Sequence, residues 1–596
     1  MMEMLIQRQR ALCQQARQKG ANTVKQHLRM PVGVDDFKYL RERYYFVDKT
    51  RFIQELIDGH SKVTLITRPR RFGKTLTLSM LYYFFTRADA EENGALFDGC
   101  AIAGAGEEYM AEQGKYPVIF LSLKDVKADS WDSCLTMLRN LLAGLYDGFP
   151  SLHASQALSE REQTLYREIL FGQASPETCM DSLRLLTVFL EKHFRQRPIL
   201  LLDEYDAPIQ SAWEHGYYDQ AIGFFRNFLS SALKTNPALD FAVLTGVLRI
   251  AKESIFRQGI SDSHAAKAAV PCLSALNNLD VSSVISGPYA DVMGFTPEEV
   301  RRMADDLGQA EKLDEIRDWY DGYNFSGHEI YNPWSVINYF SRNCKAGPYW
   351  VNTSGNSILA ELLEHADETQ ERNLYKLLRM ETISTQIKES VIYSDIYRDR
   401  EALYTMLLTT GYLKVVPGIF DGDAEFCAVA IPNQEVRRVY ASEVVSRLQR
   451  LGTRPNPAAF MESLLTGQAE DFSRELASYL ETVVSYYDTL NHESFYHGFM
   501  LGMLALLVPR FQIRSNRESG YGRFDLAAFP KRKEQAGILM EFKVAKTEED
   551  LPQEAAAALR QIEGMDYLAE FRAQGIEHVW RYGVAFCGKK VKLIAG

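Results

Sequence analysis

The stretch Val63-Thr-Leu-Ile-Thr-Arg-Pro-Arg-Arg-Phe-Gly-Lys-Thr75 constrains this chain more than any other. Val63–Ile66 is a short apolar, β-branched run of strand character, and Leu76–Phe85 reads as a helix. The loop between them ends in Gly73-Lys74-Thr75. Strand, loop, Gly-Lys-Thr and helix make the phosphate-binding P-loop order. In it, backbone N–H groups and the helix N-terminus cradle phosphates, the lysine reaches the β/γ-phosphates, and the threonine hydroxyl ligates Mg²⁺. Lys74 and Thr75 are expected in those parts, with Arg68, Arg70, Arg71, Phe72 and Gly73 completing the nucleotide-binding loop. Arg68 stands where the pattern has its first glycine, so the turn begins without that residue's freedom at φ > 0.

A bare Gly-Lys-Thr also arises by chance, and a second strand decides the reading. Pro198–Asp206 is a buried apolar run ending in acids, the form of a Walker B segment. Asp203 at its end is expected to hold Mg²⁺, and Glu204 to orient an attacking water. Tyr116–Leu123 and Asp240–Gly246 are further buried strands, separated from the others by helical stretches. Such alternation implies an α/β fold, a P-loop NTPase parallel sheet with helices on both faces. Ligands of these sheets sit at the carboxyl ends of the strands. Thr245 is therefore expected near the γ-phosphate with Arg249 just beyond it, although an arginine in that place also serves as a core-edge ion pair.

A second centre lies near the C-terminus. Arg523–Phe529 and Ile538–Val544 are strands joined by the charged turn Pro530–Ala536. Asp525 and Glu541 are equidistant from Lys533, so a hairpin centred there sets them face to face, and Lys543 shares their face. Two opposed carboxylates can hold Mg²⁺, and the lysine can orient or activate a water that attacks a phosphodiester. The same spacing also occurs as a plain cross-strand charge cluster. Two observations favour chemistry. Carboxylates within an apolar strand are costly without a metal or partner. Residues 508–546 carry nine Lys/Arg against four Asp/Glu, in a chain of net charge −11. Such a local patch suits a phosphate backbone, and the overall charge excludes a chain that wraps nucleic acid everywhere. Arg514, Arg517, Arg523 and Lys531–Lys533 are its expected members.

At 596 residues the chain needs several domains. The expected divisions are a basic polar tail over 1–29, an ATPase domain over 30–290, a mainly helical region over 291–480, and an α/β domain over 481–596, where Ser515–Asp525 and Ile538–Val544 resemble restriction-endonuclease-like proteins. Within the helical region, Leu403–Leu408 followed by two strand-like runs fits a winged-helix-like element. Its aromatic clusters read as core. The eight cysteines form no C-x-x-C pair, which argues against a zinc site or disulfide framework and suits a cytoplasmic protein. No apolar run reaches membrane-spanning length.

Several segments together resemble the AAA-ATPase-like family that carries a C-terminal PD-(D/E)xK nuclease-like domain. They are Tyr45–Thr50, Arg68–Thr75, Leu202–Pro208, Leu244–Val247, Ser274–Leu279, Trp319–Phe325, Tyr331–Ser335, Ile431–Asn433, Ser515–Asp525 and Ile538–Val544. In that family an arginine is usual at the place of Arg68. The chain departs from the family between Phe256 and Leu273, where an Ala/Ser-rich stretch intervenes and Ala275 replaces a glycine. The resemblance implies ATP and Mg²⁺ as cofactors, nucleic acid as partner, Glu493 as an auxiliary acid and Gln561 as a supporting helix residue. Two functions compete: an ATP-regulated nuclease, and a nucleotide-operated switch that binds nucleic acid or a protein partner without cutting. A homo-oligomer is open in either case.

Overall fold

Five parallel strands organise the first half of the chain: β1 (Val63–Thr67), β2 (Val118–Ser122), β3 (Ile199–Asp203), β4 (Ala242–Gly246) and β5 (Asp280–Ser282), in the order β2-β3-β4-β1-β5. A computed structural model describes residues 29–249, 279–350, 368–378, 380–387, 400–420, 426–440, 457–483, 493–504, 507, 510–519, 522–532, 535–564 and 567–596. The basic tail before Arg29 and the 257–273 insertion lie outside the described residues. The three central strands, β3, β4 and β1, are buried along their whole length, whereas the edge strands β2 and β5 are only partly so. That is why the central strands read as continuous apolar runs: packing elements cover both faces of a parallel sheet.

Register brings the chemistry together. Ser122 pairs with Asp203, and Ile66 pairs with Thr245, so the polar residues of β2, β3 and β4 share the carboxyl end of the sheet. The helix Lys74–Phe85 leaves that end of β1, with Gly73 as its N-cap at φ +88°. It is apolar nearly all round because it is buried; Leu78, Leu81, Phe84 and Phe85 join a core with Phe37, Ile66, Leu201 and Val243.

The chain forms two compact units, one of Met1–Trp350 with Gln386–Phe426 and one of Val351–Thr385 with Cys427–Gly596. Besides its helices, the middle of the sequence holds a hairpin, β6 (Tyr323–Phe325) and β7 (His328–Ile330). Ser326 and Gly327 make its turn, at φ +48° and +91°, the two positive values that match the right-handed twist of paired strands. The stretch expected to be winged-helix-like contains the helix Arg400–Thr409 and strands β9 (Lys414–Phe420) and β10 (Phe426–Ala430), with β8 (Ile383–Gln386) preceding them.

In the second unit, β11 (Phe511–Ser519), β12 (Gly522–Pro530), β13 (Gly537–Val544), β14 (Val579–Cys587) and β15 (Lys590–Ala595) form one sheet in sequential order. Only the β13–β14 pair is parallel, and the helix Leu551–Gly564 makes its crossover. Gly583 lets that helix approach closely, since a Cβ there would stand 2.2 Å from the Ala555 carbonyl oxygen. No helix among the described residues is long and apolar enough to cross a membrane.

Candidate active sites

Asp203 is the centre of the first site. Its carboxylate is wholly buried and accepts from the Thr75 hydroxyl at 2.7 Å and the Thr245 hydroxyl at 2.6 Å. The Ser122 hydroxyl lies 3.4 Å away. Three other chain segments thus converge on one carboxylate. All its partners are neutral oxygens, a donor set that fits Mg²⁺, which one or two carboxylates hold beside substrate phosphates and water. Lys74 is buried, and its ammonium donates to the carbonyls of Arg68 and Pro69 at 2.9 and 2.8 Å. Burial pushes its pKa down, against the opposing charges of Glu204, Asp206 and Asp203. An ammonium confined in the loop by neutral carbonyls suits a loop that receives an anion.

The two remaining acids of Pro198–Asp206 differ in employment. Asp206 accepts backbone N–H bonds from Val247 and Leu248, both 2.8 Å, and so braces the turn after β4; burial pushes its pKa up. The Tyr205 hydroxyl donates to the Leu248 carbonyl in the same brace. Glu204 stands at φ +49°, an uncommon conformation for a side chain of its kind. Its carboxylate makes no hydrogen bond among the described residues and acts electrostatically on Lys74 and Arg71.

The second site is a hairpin. Leu526 opposes Met540 and Ala528 opposes Ile538, the register that a turn centred on Lys533 predicts. One pair further along, the carboxylates interlock with the facing backbone. The Phe542 N–H donates to Asp525 Oδ2 at 2.8 Å, and the Asp525 N–H approaches Glu541 Oε2 at 3.4 Å. Glu541 is buried in β13, whose residues from Gly537 to Phe542 are otherwise apolar. Gln561, on the crossover helix, donates its amide to Glu541 Oε1. Lys543 is half-buried two residues on, with no hydrogen bond or ion pair among the described residues.

Comparison with known proteins follows the same division. Residues 31–256 match a family model described as a predicted AAA-ATPase, and residues 491–595 match the PD-(D/E)XK nuclease superfamily. The chain joins an AAA-ATPase-like domain to a PD-(D/E)XK nuclease-superfamily domain. A curated relative from Azotobacter chroococcum mcd 1, described as an uncharacterized protein in the vnfD 5′ region, is 27% identical over 576 residues. The match covers 94% of this chain and 96% of the relative.

In the ATPase-like domain the loop residues part ways. Arg68 is fully buried, and its guanidinium donates to the carbonyls of Thr67, Ser282 and Tyr289 and to the Ser282 hydroxyl. Desolvation pushes its pKa down to about 9. Its side chain is a strut tying the loop to β5, which corrects the expectation of a nucleotide contact. Phe72 is likewise buried, 5.0 Å from the Tyr323 ring and 5.3 Å from Phe325, so hairpin β6–β7 claims it as core. Arg70 donates to Gln210 at 3.0 Å, and Arg71 lies over the Trp334 ring at 4.0 Å. Arg249 is partly buried where the described stretch after β4 ends. Ser122 escaped sequence reasoning, although its place at a strand's carboxyl end was a readable signal.

In the nuclease-superfamily domain, Glu493 opens the helix Glu493–Leu504, and its side chain lies outside the described residues. His497, one turn on, is buried, and its Nε2 lies 2.8 Å from the Asp525 carbonyl oxygen. Because that oxygen only accepts, Nε2 carries the proton, and the histidine positions Asp525's backbone. The basic patch is corrected at Arg514. Arg514 pairs with Glu570 and stacks on Phe529 at 4.5 Å, which removes it from phosphate binding. Lys531 follows the far end of β12, roughly 20 Å from Asp525 at ~3.4 Å per strand residue. The side chains of Arg517, Arg523 and Lys533 lie outside the described residues. Among the described residues no group of three or more His, Cys, Asp and Glu gathers as a metal cage.

Proposed function

We propose that this protein binds and hydrolyses ATP at Lys74, Thr75, Asp203 and Glu204, and cuts nucleic-acid phosphodiesters with Mg²⁺ at Asp525, Glu541 and Lys543. The observation carrying the proposal is the hairpin. Two carboxylates interlock across it, one buried, with a half-buried lysine beside them and a glutamine amide orienting Glu541. An isolated charge cluster has no need to bury Glu541, whose desolvation is costly without a cation.

Asp525 and Glu541 would hold the metal, a set of hard oxygens that fits Mg²⁺. When bound, the ion polarises a phosphoryl oxygen and lowers the pKa of its water. Lys543 places a cation beside the scissile phosphate, Gln561 fixes the Glu541 carboxylate, and His497 fixes the Asp525 backbone. In the ATPase-like domain, Thr75 and Asp203 would hold Mg²⁺, Lys74 offsets phosphate charge, and Glu204 orients water.

The test is cleavage of labelled DNA and RNA by the full chain, with and without Mg²⁺ and ATP. Metal-dependent cleavage is expected. If the chain binds nucleic acid but cuts neither substrate with Mg²⁺ or Mn²⁺, it is a switch. Separately, Lys74→Ala is expected to weaken ATP binding by about 10²-fold or more in a titration, since a charged hydrogen-bonding partner of the phosphates is lost. Unchanged affinity would remove the P-loop assignment.

A further inference from the structure

The arginines of the phosphate loop have three fates. Arg68 is a buried strut to β5, and Arg70 is held by Gln210. Arg71 alone is exposed and makes no hydrogen bond or ion pair among the described residues. Its guanidinium rests on the Trp334 indole, 4.0 Å from the ring centroid. Such a contact at a partly exposed site is weaker than a hydrogen bond between two charged groups, so a phosphate outcompetes the ring.

Two further observations place Arg71 at the mouth of the site, and a third shows which partner can move. Its backbone stands at φ +70°, inside the loop and two residues before Gly73; non-glycine residues held in this region recur at ligand clamps. The carboxylate acting on it is Glu204, which is also the leading opposing charge on Lys74. The perch itself is fixed: Trp334 lies in the first turn of the helix Pro333–Ser341 and donates its Nε1–H to the Tyr349 carbonyl at 3.0 Å. The arginine is therefore the movable member of the pair.

We infer that Arg71 is a phosphate-sensing arginine supplied by the chain itself, exchanging Trp334 for the terminal phosphate when ATP binds. This rests on the reading of the loop as an ATP site. In hydrolysis the water oxygen bonds to the γ-phosphorus while the bond to the β–γ bridging oxygen breaks, leaving its electron pair on ADP. The water's proton passes to Glu204 and from there to the released phosphate. Arg71 offsets the charge on the transferring group, the part that an arginine finger plays in other nucleotide hydrolases.

Tryptophan emission of the full chain, titrated with Mg·ATP and Mg·ADP, tests the inference together with ATP binding measured by calorimetry. The expected result is an emission change with ATP, smaller with ADP, absent in Trp334→Phe and in Arg71→Ala. Arg71→Ala should bind ATP within about 10-fold of wild type and lose turnover on the order of 10³-fold. Turnover per chain should not depend on protein concentration, because no second chain is required. If ATP binds to the wild type without moving the Trp334 signal, or Arg71→Ala hydrolyses normally, the inference is overturned and the ATP site stands. A folded Arg71→Ala that no longer binds ATP assigns the residue to binding and likewise overturns it. If the wild type binds no ATP at all, the underlying reading fails first. Should Arg71→Ala misfold, the wild-type and Trp334→Phe emission arms decide alone.

Discussion

Asp203 and Glu541 are both buried carboxylates, 0% and 3% exposed, yet they are held by different kinds of neighbour. Asp203 is surrounded by the hydroxyls of Thr75, Thr245 and Ser122, brought from three other segments by a parallel sheet. Glu541 and Asp525 are held largely by backbone N–H groups of one antiparallel hairpin, with a single side chain, Gln561, arriving from a helix. Parallel strands need long crossovers, so a site at their ends collects remote residues. A hairpin supplies both sides of its site from one short stretch. The first site is therefore vulnerable wherever its segments are tied together, and the second mainly at its own acids.

The largest effect should come from the hairpin. Asp525→Ala and Glu541→Ala should each lower nucleic-acid cleavage by about 10³-fold or more while leaving ATP turnover without nucleic acid intact. Lys543→Ala should lose as much cleavage yet keep Mg²⁺ affinity, because the lysine is not a ligand. A wild type that cuts, alongside three variants that cut equally well, would reduce the hairpin to a charge cluster.

In the ATPase-like domain, Glu204→Gln should still bind Mg·ATP and lose turnover by about 10²–10³-fold, the usual worth of a positioned acid–base group. Asp203→Asn should instead weaken Mg²⁺-dependent binding. Normal turnover in Glu204→Gln would move the water-orienting role elsewhere, and not easily to Asp206, which the N–H groups of Val247 and Leu248 already hold.

The contrast in assembly is sharpened by Arg68→Met. It removes donors from buried carbonyls at β5 and after it, and should destabilise the first unit by about 2–3 kcal/mol. A lowered first unfolding transition and weaker ATP binding, with the intrinsic cleavage rate unchanged, are expected. Equal stability would show that the strut is dispensable.

The smallest effect concerns Asp321. Burial, with Glu329 beside it, pushes its carboxyl pKa up to about 8, against Lys414. The folded state thus favours the protonated form. Its contribution is fully present below the ordinary carboxylate pKa and is lost as pH rises toward about 8, at no more than ~1.4 kcal/mol per unit. Stability of the first unit should fall over that window in denaturant titrations, and Asp321→Asn should flatten the slope. An identical slope in the variant would assign the dependence to other groups.

What was legible in the sequence was local. Strand, loop and helix around Gly73-Lys74-Thr75 follow from short-range periodicity, and the opposition of Asp525 and Glu541 follows from the two-residue repeat of a strand about a turn. Both arguments need only covalent geometry, so they carry over into the fold. The same reasoning cannot say where a long side chain goes. Arg68, Phe72 and Arg71 lie within five residues and look alike as loop residues. Their fates are decided by β5, by the hairpin β6–β7 and by Trp334, segments more than two hundred residues away. Likewise Arg514 reads as a phosphate contact until Glu570 is folded against it. Burial and pairing are properties of neighbours, and only the tertiary structure chooses the neighbours.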